Sequence, residues 1–324
     1  MDSLQLKYFA QIVESGSLSK ASRCLYVAQP ALSQRLAKLE SEVGRPLLVR
    51  SAKGVVPTEA GQALYDHARF VLRQIDQALS IARQVSDEVQ GMVSVGLPAT
   101  TVLAIGLPLM RAVRRKCPGI LLNVVEGMSG HLAQMMRVGQ LDLAILFNSD
   151  VSSNLDARPL LEEELFVLFP ERSAYVAPGR ASITAAEAAG LPLILPTGTH
   201  GLRRRVMAEF ERRNLHPKIV AEIDSLSLLM SCVTDGMGAT IKPMSALQMA
   251  SHEDCCWRAV TIADARVTRR NYLYSAPTAL CSPAVAAVAR EIQETARELV
   301  QSTAWKGTTL LDGEEAGSLL KAAE

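Results

Sequence analysis

Between Gln29 and Lys38 the sequence sets polar side chains among apolar ones at intervals of three and four. Gln29, Ser33, Gln34, Arg35 and Lys38 fall between Leu32, Leu36, Leu39 and Val43, the spacing of a helix with one buried and one polar face. A glutamine amide can pair two-pronged with adenine, a guanidinium with guanine or a phosphate, and a hydroxyl with either. This face therefore carries groups that can read base edges. Pro30 suits the first turn, where its missing N–H costs nothing. Arg50 and Lys53 lie near the tip formed by the short turn at residues 51–54 and have the charge to hold a phosphate backbone, adding affinity without sequence choice.

A second set of residues is chemically milder. Thr100 and Thr101, Ser129, and then Thr197, Thr199 and His200 follow predicted strands and precede predicted helices. Helix N-termini offer free N–H groups to anions, and short hydroxyls without fixed charge suit a small carboxylate or polar metabolite. The competing role is plain helix capping, and Thr199 is the candidate cap of the helix beginning near Leu202. Catalytic patterns are missing: the sequence has no Gly-x-Ser-x-Gly, no phosphate loop and no His-Glu-x-x-His. Its five histidines are dispersed, and its six cysteines include no Cys-x-x-Cys pair. The expectation is free thiols, no metal, no cofactor and no enzyme.

The elements that must hold these residues follow from periodicity. Leu4–Val13 and Leu18–Leu25 read as helices separated by Gly16-Ser17, and a tight connection at 26–28 leads to the Gln29 helix, which Gly44 ends. Two helices joined by so short a turn and braced by a third form a helix-turn-helix. Two short strands at 46–50 and 55–57 read as a hairpin wing. Residues 1–57 carry eight basic and four acidic side chains, so the head is +4 and the remainder −3 of the net +1. That asymmetry fits a head that meets a polyanion.

From Thr58 to about Gln90 a narrow apolar stripe runs through Leu64, Ala68, Val71, Leu72, Ile75 and Leu79. A helix of this length reads as a dimerisation element that pairs with its twin, the alternative being packing on its own body. Beyond Gly91, apolar strands alternate with helices, which predicts a parallel sheet covered on both faces. The expected division is a head at 1–57, a linker helix at 58–90 and a two-lobed body at 91–302. Lobe I takes about 91–162 and 268–302, lobe II about 163–267, and a flexible tail occupies 303–324. The start, Met1-Asp2-Ser3, lacks the basic and apolar regions of a signal peptide. No apolar run reaches the roughly 20 residues needed to span a bilayer, so the expected location is the cytoplasm, away from membranes.

Residues 1–61 resemble the DNA-binding domain of the LysR-type transcriptional regulators. The shared pattern runs from Leu6-x-x-Phe9 through Gly16-Ser17-Leu18 to Ala28-Gln29-Pro30-Ala31-Leu32-Ser33. It continues through Leu39-Glu40 and Gly44-x-Pro46-Leu47-Leu48-x-Arg50 to Pro57-Thr58-x-Ala60-Gly61. Gly139-x-Leu141-Asp142-Leu143-Ala144-Ile145 and Val233-x-x-Gly236-Met237-Gly238 extend the likeness to the body. One departure is visible: where the family often has Arg directly after the Ser of the third helix, this sequence has Gln34, with Arg35 next. The resemblance implies a fold of winged helix-turn-helix, long linker helix and α/β periplasmic-binding-protein-like body. It implies double-stranded DNA as partner, self-association as homodimer and homotetramer, activation or repression through RNA polymerase, and a small-molecule co-inducer in the inter-lobe cleft.

Within that family Tyr8-Phe9, Arg50 with Gly54-Val55, Leu64-Tyr65-x-His67-Ala68-Arg69 and Glu222-Ile223-x-Ser225-Leu226 resemble the nitrogen-assimilation-control regulators. That likeness leaves a second expectation open, a regulator whose own abundance is the signal and whose cleft is vestigial. The alternative reading is a cytoplasmic two-lobed small-molecule-binding protein or enzyme with an accessory DNA-binding head.

Overall fold

The computed structural model describes residues 1–51, 54–83, 89–147, 155–250, 256–277 and 281–311. They fall into two compact units, one formed by Met1–Gly91 with Gln134–Leu141 and the other by the rest.

The first unit opens with α1 (Ser3–Ser15), whose start is fixed by a reciprocal cap: Asp2 accepts the Gln5 N–H while the Gln5 side chain accepts the Asp2 N–H, both at 2.7 Å. α2 (Leu18–Leu25) is capped by Ser17, and Tyr26, in the left-handed region at φ 54°, makes the turn into α3 (Gln29–Val43). Pro30 lies in the first turn of α3 and Gly44 ends it. The hairpin β1 (Leu48–Ser51) and β2 (Gly54–Pro57) is antiparallel, with Arg50 opposite Val55. Two contacts seat this wing on the helices. The Glu40 carboxylate accepts the N–H groups of Leu47 and Leu48 at 2.8 and 3.2 Å, and Val55 donates to the Gly16 carbonyl at 2.9 Å. Phe9, Ile12, Ala21, Leu32, Leu39 and Leu47 are buried together beneath them.

α4 (Glu59–Arg83) leaves the wing directly. Thr58 accepts the Gly61 N–H at 3.0 Å and donates to the Pro46 carbonyl at 2.9 Å. A side chain at Gly61 would place its first carbon 1.9 Å from the Leu47 carbonyl oxygen, which is why a helix-weakening glycine stands in the first turn. The 25 residues of α4 span about 38 Å at 1.5 Å each. The stretch at 84–88, where the linker helix was expected to continue, lies outside the described residues.

β3 (Gly91–Leu97) leads into the second unit, which starts at Met92. A helical segment follows: α5 (Ala99–Thr101), a π-turn at Val102–Gly106 and α6 (Leu107–Lys116). β4 (Ile120–Glu126), α7 (Ser129–Arg137), β5 (Leu143–Leu146) and β6 (Asp156–Glu164) come next. The chain then enters lobe II with β7 (Phe166–Pro170), β8 (Ser182–Ile183), α8 (Ala185–Gly190), β9 (Leu193–Leu195) and α9 (Gly201–Glu211). β10 (Ile219–Glu222), α10 (Leu226–Thr234), β11 (Thr240–Lys242), a 3-10 turn at Met244–Ala250 and β12 (Trp257–Ile262) complete that lobe. β13 (Thr268–Ser275), α11 (Pro283–Gln301) and β14 (Thr308–Leu310) return to lobe I.

Lobe I is a six-stranded sheet ordered β14-β6-β13-β5-β3-β4, and lobe II holds a four-stranded sheet β11-β7-β12-β8 with a pair β10-β9. A bridge from Leu193 to Ala239 joins the two sheets of lobe II. The two crossovers expected between lobes are present, at Leu165 and between β12 and β13. The sheet of lobe I corrects the expected all-parallel arrangement. β3 and β5 are parallel, but β13 returns from lobe II antiparallel to both β5 and β6.

β6 itself was unforeseen, because its acidic end (Glu162–Glu164) has no strand-like apolar run. Its partner across the sheet is the basic stretch at Thr268–Arg270, so the charges are matched there. The expected loose tail from 303 is also corrected as far as residue 311. Trp305 is 3% exposed and β14 extends the sheet along β6. Among the described residues no helix is long and apolar enough to cross a membrane.

Candidate functional site

With Leu32, Leu36 and Leu39 buried, α3 must turn its other side outward. Gln29, Pro30, Gln34, Arg35 and Lys38 are exposed and Ser33 is half-buried. Their surroundings differ. Ser33 accepts a hydrogen bond from the Arg50 guanidinium of the wing at 3.2 Å. The Gln29 carbonyl accepts from Ser19 at 2.9 Å, which leaves its amide N–H groups to act as donors. Arg35 sits on the flank of the helix, its guanidinium 5.7 Å from the centre of the Tyr8 ring on α1. Gln34 makes no hydrogen bond with any described residue and stands on the outermost line of the helix. Lys53 lies outside the described residues.

The apolar stripe of α4 divides in two. Leu64 packs against the head's core and Ala68 is 1% exposed. Both are covered within the protomer, which corrects the expectation that the whole stripe faces a twin. Val71 and Leu72 are half-buried, while Ile75 and Leu79 remain 38% and 46% exposed.

Between the lobes lies a cavity of about 270 Å³. Of the six residues expected there, Thr100, Ser129 and His200 line it. The other three serve the frame. Thr101 is fully buried and its hydroxyl has no hydrogen-bond partner among the described residues. Thr197 donates its N–H and hydroxyl to Asp224 at 3.0 and 2.9 Å, with Thr199 3.4 Å behind it. The cap of α9 is His200, whose Nδ1 accepts the Leu202 N–H at 3.1 Å, and so Thr199 does not fill that role.

The expectation of a cleft without fixed charge is overturned. Arg269 and Lys242, 4% and 5% exposed, line the cavity, and Asp224 is on its wall. The Arg269 guanidinium donates to Glu163 at 2.7 Å and to the Thr100 hydroxyl at 2.7 Å, and it lies 3.8 Å from the centre of the Phe147 ring. Glu163, 1% exposed, also accepts from the Trp305 indole at 3.0 Å. A chain of hydrogen bonds thus runs from the C-terminal segment through a buried ion pair to the cavity wall.

Burial above all, with the Arg269 charge in support, pushes the Lys242 ammonium down to about 7, while Asp224 opposes the shift. Burial likewise pushes His200 down to about 4, with Lys242 adding to it. The Thr197 N–H and hydroxyl hold the Asp224 carboxyl below its ordinary value. Lys242 and Arg269 escape sequence reading because nothing local marks them. Thr100 and Arg269 are 169 residues apart in the chain.

A winged helix-turn-helix, a long helix and a two-lobed body enclosing a polar cavity together define a one-component regulator, with a DNA-reading head and a sensor-type body on one chain. Residues 4–62 match the family described as bacterial regulatory helix-turn-helix protein, lysR family, and residues 86–297 match the LysR substrate binding domain. The chain belongs to the LysR family of transcriptional regulators, which are not enzymes. It is 40% identical over 247 residues to the nitrogen assimilation regulatory protein nac of Klebsiella aerogenes, covering 76% of this chain and 79% of that one. The protein of the same name in Escherichia coli K12 is 37% identical with the same coverage. In fold it is similar to full-length CbnR complexed with its target DNA, with a TM-score of 0.68 at 20% identity, covering 91% of this chain and 100% of that one.

Proposed function

We propose that this protein is a sequence-specific, cytoplasmic regulator of genes in nitrogen metabolism. It reads its operator with α3 in the major groove and is tuned by a small metabolite in the inter-lobe cavity. The observation that carries the reading is the outward face of α3. Gln34 on its outermost line has no partner among the described residues and Gln29 keeps its N–H groups, so two amides are available to base edges. Ser33 and Arg50 are set side by side at the wing edge, where a phosphate would find both. Arg35, Lys38 and Lys53 supply further charge to the backbone.

The likeness to the nac proteins supports the nitrogen assignment, and the DNA complex of CbnR supports the docking. Dimerisation runs through the distal half of α4, where Leu72, Ile75 and Leu79 are not covered by the head, and two dimers form a tetramer. The functional division is head at 1–57, linker helix at 58–90 and body from 91.

Footprinting across a genome supplies the operator, and a gel-shift titration against operator and random duplex then tests the reading. Gln34→Ala is expected to weaken operator binding by roughly tenfold, the loss of about 1–3 kcal/mol of base discrimination, while random-duplex binding stays put. Equal affinity of the unmutated protein for both duplexes would refute it.

A further inference from the structure

Among the described residues, the inter-lobe cavity holds a buried cation that no carboxylate pairs with directly. Lys242 closes β11, is 5% exposed and lines the cavity, yet it makes no hydrogen bond or ion pair with any described residue. The other basic group on the wall is already engaged, since Arg269 is held by Glu163, Thr100 and the Phe147 ring. Asp224, whose charge acts on Lys242 without bonding to it, accepts hydrogen bonds from Thr197 on both oxygens. An ammonium withdrawn from water without a partner is strongly disfavoured. A vestigial cleft would have no use for it.

We propose that the cavity binds a small carboxylate and that Lys242 is the residue that holds its charge, an assignment that rests on the cleft reading above. The remaining oxygen has donors ready. α7 and α10 both open onto the cavity through Ser129 and through Ser225 and Ser227, and first-turn N–H groups with hydroxyls are the usual seat of a carboxylate. At about 270 Å³ the space lies just below the ~300–1,000 Å³ of pockets for drug-sized ligands, so the ligand is a short acid.

Binding is coupled to a proton. The groups that face Lys242 are Arg269 on β13 with Glu163 behind it, Asp224 before α10, His200 before α9 and Glu126 at the end of β4. The two shifted among them stay fixed near neutrality, His200 uncharged with its value at about 4 and Asp224 charged with its value lowered. Lys242, at about 7, is the group that changes. The carboxylate selects its ammonium form, so the protein takes up a proton on binding, and affinity falls as the pH rises through 7.

The test uses the full chain and thermal melting at constant ionic strength. The probes are a series of two- to six-carbon mono- and dicarboxylates, with their neutral amides as controls. At pH 6 at least one acid is expected to raise the melting temperature, and reaching the same shift at pH 8.5 takes roughly thirtyfold more acid, the ratio of protonated Lys242 at the two pH values. Lys242→Met abolishes the shift, whereas Lys242→Arg keeps it and removes the pH dependence. Because Lys242→Met also relieves a buried charge, the unliganded variant melts higher than the parent at pH 6, which separates loss of binding from loss of fold.

An acid that stabilises Lys242→Met as well as the parent overturns the proposal, as does a series in which no acid acts. In that second case the amides distinguish the two failures. An amide whose effect is lost in Ser129→Leu leaves the cleft reading standing and removes only the carboxylate, while inert amides remove both.

Discussion

Gln34 and Arg35 are neighbours in sequence but have different surroundings. A helix advances 100° per residue, so one of two adjacent polar side chains leans back towards the bundle while the other faces away. Arg35 leans on Tyr8, where its guanidinium gains a weak cation–π contact, and Gln34 is left outward. The sequence pattern could show that both are polar and could not show which one faces out. Arg50 is a simpler case. It stands on the wing with its charge turned to Ser33, so Arg50→Ala should weaken binding to every duplex alike. It should also reduce the slope of log affinity against log salt by about 0.9 for each subunit whose wing meets the duplex, about 1.8 for a dimer, which titrations at several salt concentrations will measure. A loss confined to one operator would mean that Arg50 reads a base.

The legibility of these residues follows from the distances over which they act. Much of the head is marked locally: the caps at Asp2 and Ser17 and the turn at Tyr26 each leave a mark within a few residues. The cavity is different. Thr100, Ser129 and His200 could be anticipated because strand ends and helix starts are visible in the pattern. Lys242 and Arg269 could not, since their role is set by the folding of distant segments around them.

At the scale of elements, α4 is a helix shared between two tasks. Its first turns belong to the head, where Gly61 touches the Leu47 carbonyl and Tyr65 and Arg69 both reach Glu14. Its later turns present Ile75 and Leu79 to solvent in the isolated protomer, and exposed apolar residues continuing a helical stripe call for a partner helix. Leu72→Asp combined with Ile75→Asp should therefore yield monomers in sedimentation, with the helical circular dichroism of the head retained. A dimer that survives both charges would shift the interface to the body.

The elements that pattern reading missed have a common cause. β6 ends in three glutamates and β14 has three residues, so neither has the apolar run by which strands are recognised. Both are strands because of what lies beside them, Thr268–Arg270 for the first and Leu161–Glu163 for the second.

For the molecule as a whole, the C-terminal segment poses the sharper question, because it lies beyond the residues that match the family and yet is linked through Glu163 to Arg269 on the cavity wall. Glu163 sits with one oxygen on Arg269 and the other on the Trp305 indole. A buried carboxylate needs both, since half-satisfied ionic groups in an interior are costly. The segment after α11 is therefore part of the body's fold.

Three variants order the contributions, read as shifts of the urea midpoint by circular dichroism. Trp305→Phe keeps an aromatic ring but removes the donor together with the second ring of the indole, and the acceptor left unpaired alone costs about 1–3 kcal/mol. Glu163→Gln strips the buried guanidinium of its counter-charge and should cost more, about 3–5 kcal/mol. In the double variant the two losses will fall short of their sum, because with the carboxylate gone the indole has no charged acceptor left to lose. Simple additivity would show that Trp305 acts through its bulk alone, and the path from the C-terminal strand to Arg269 would then be broken at Glu163.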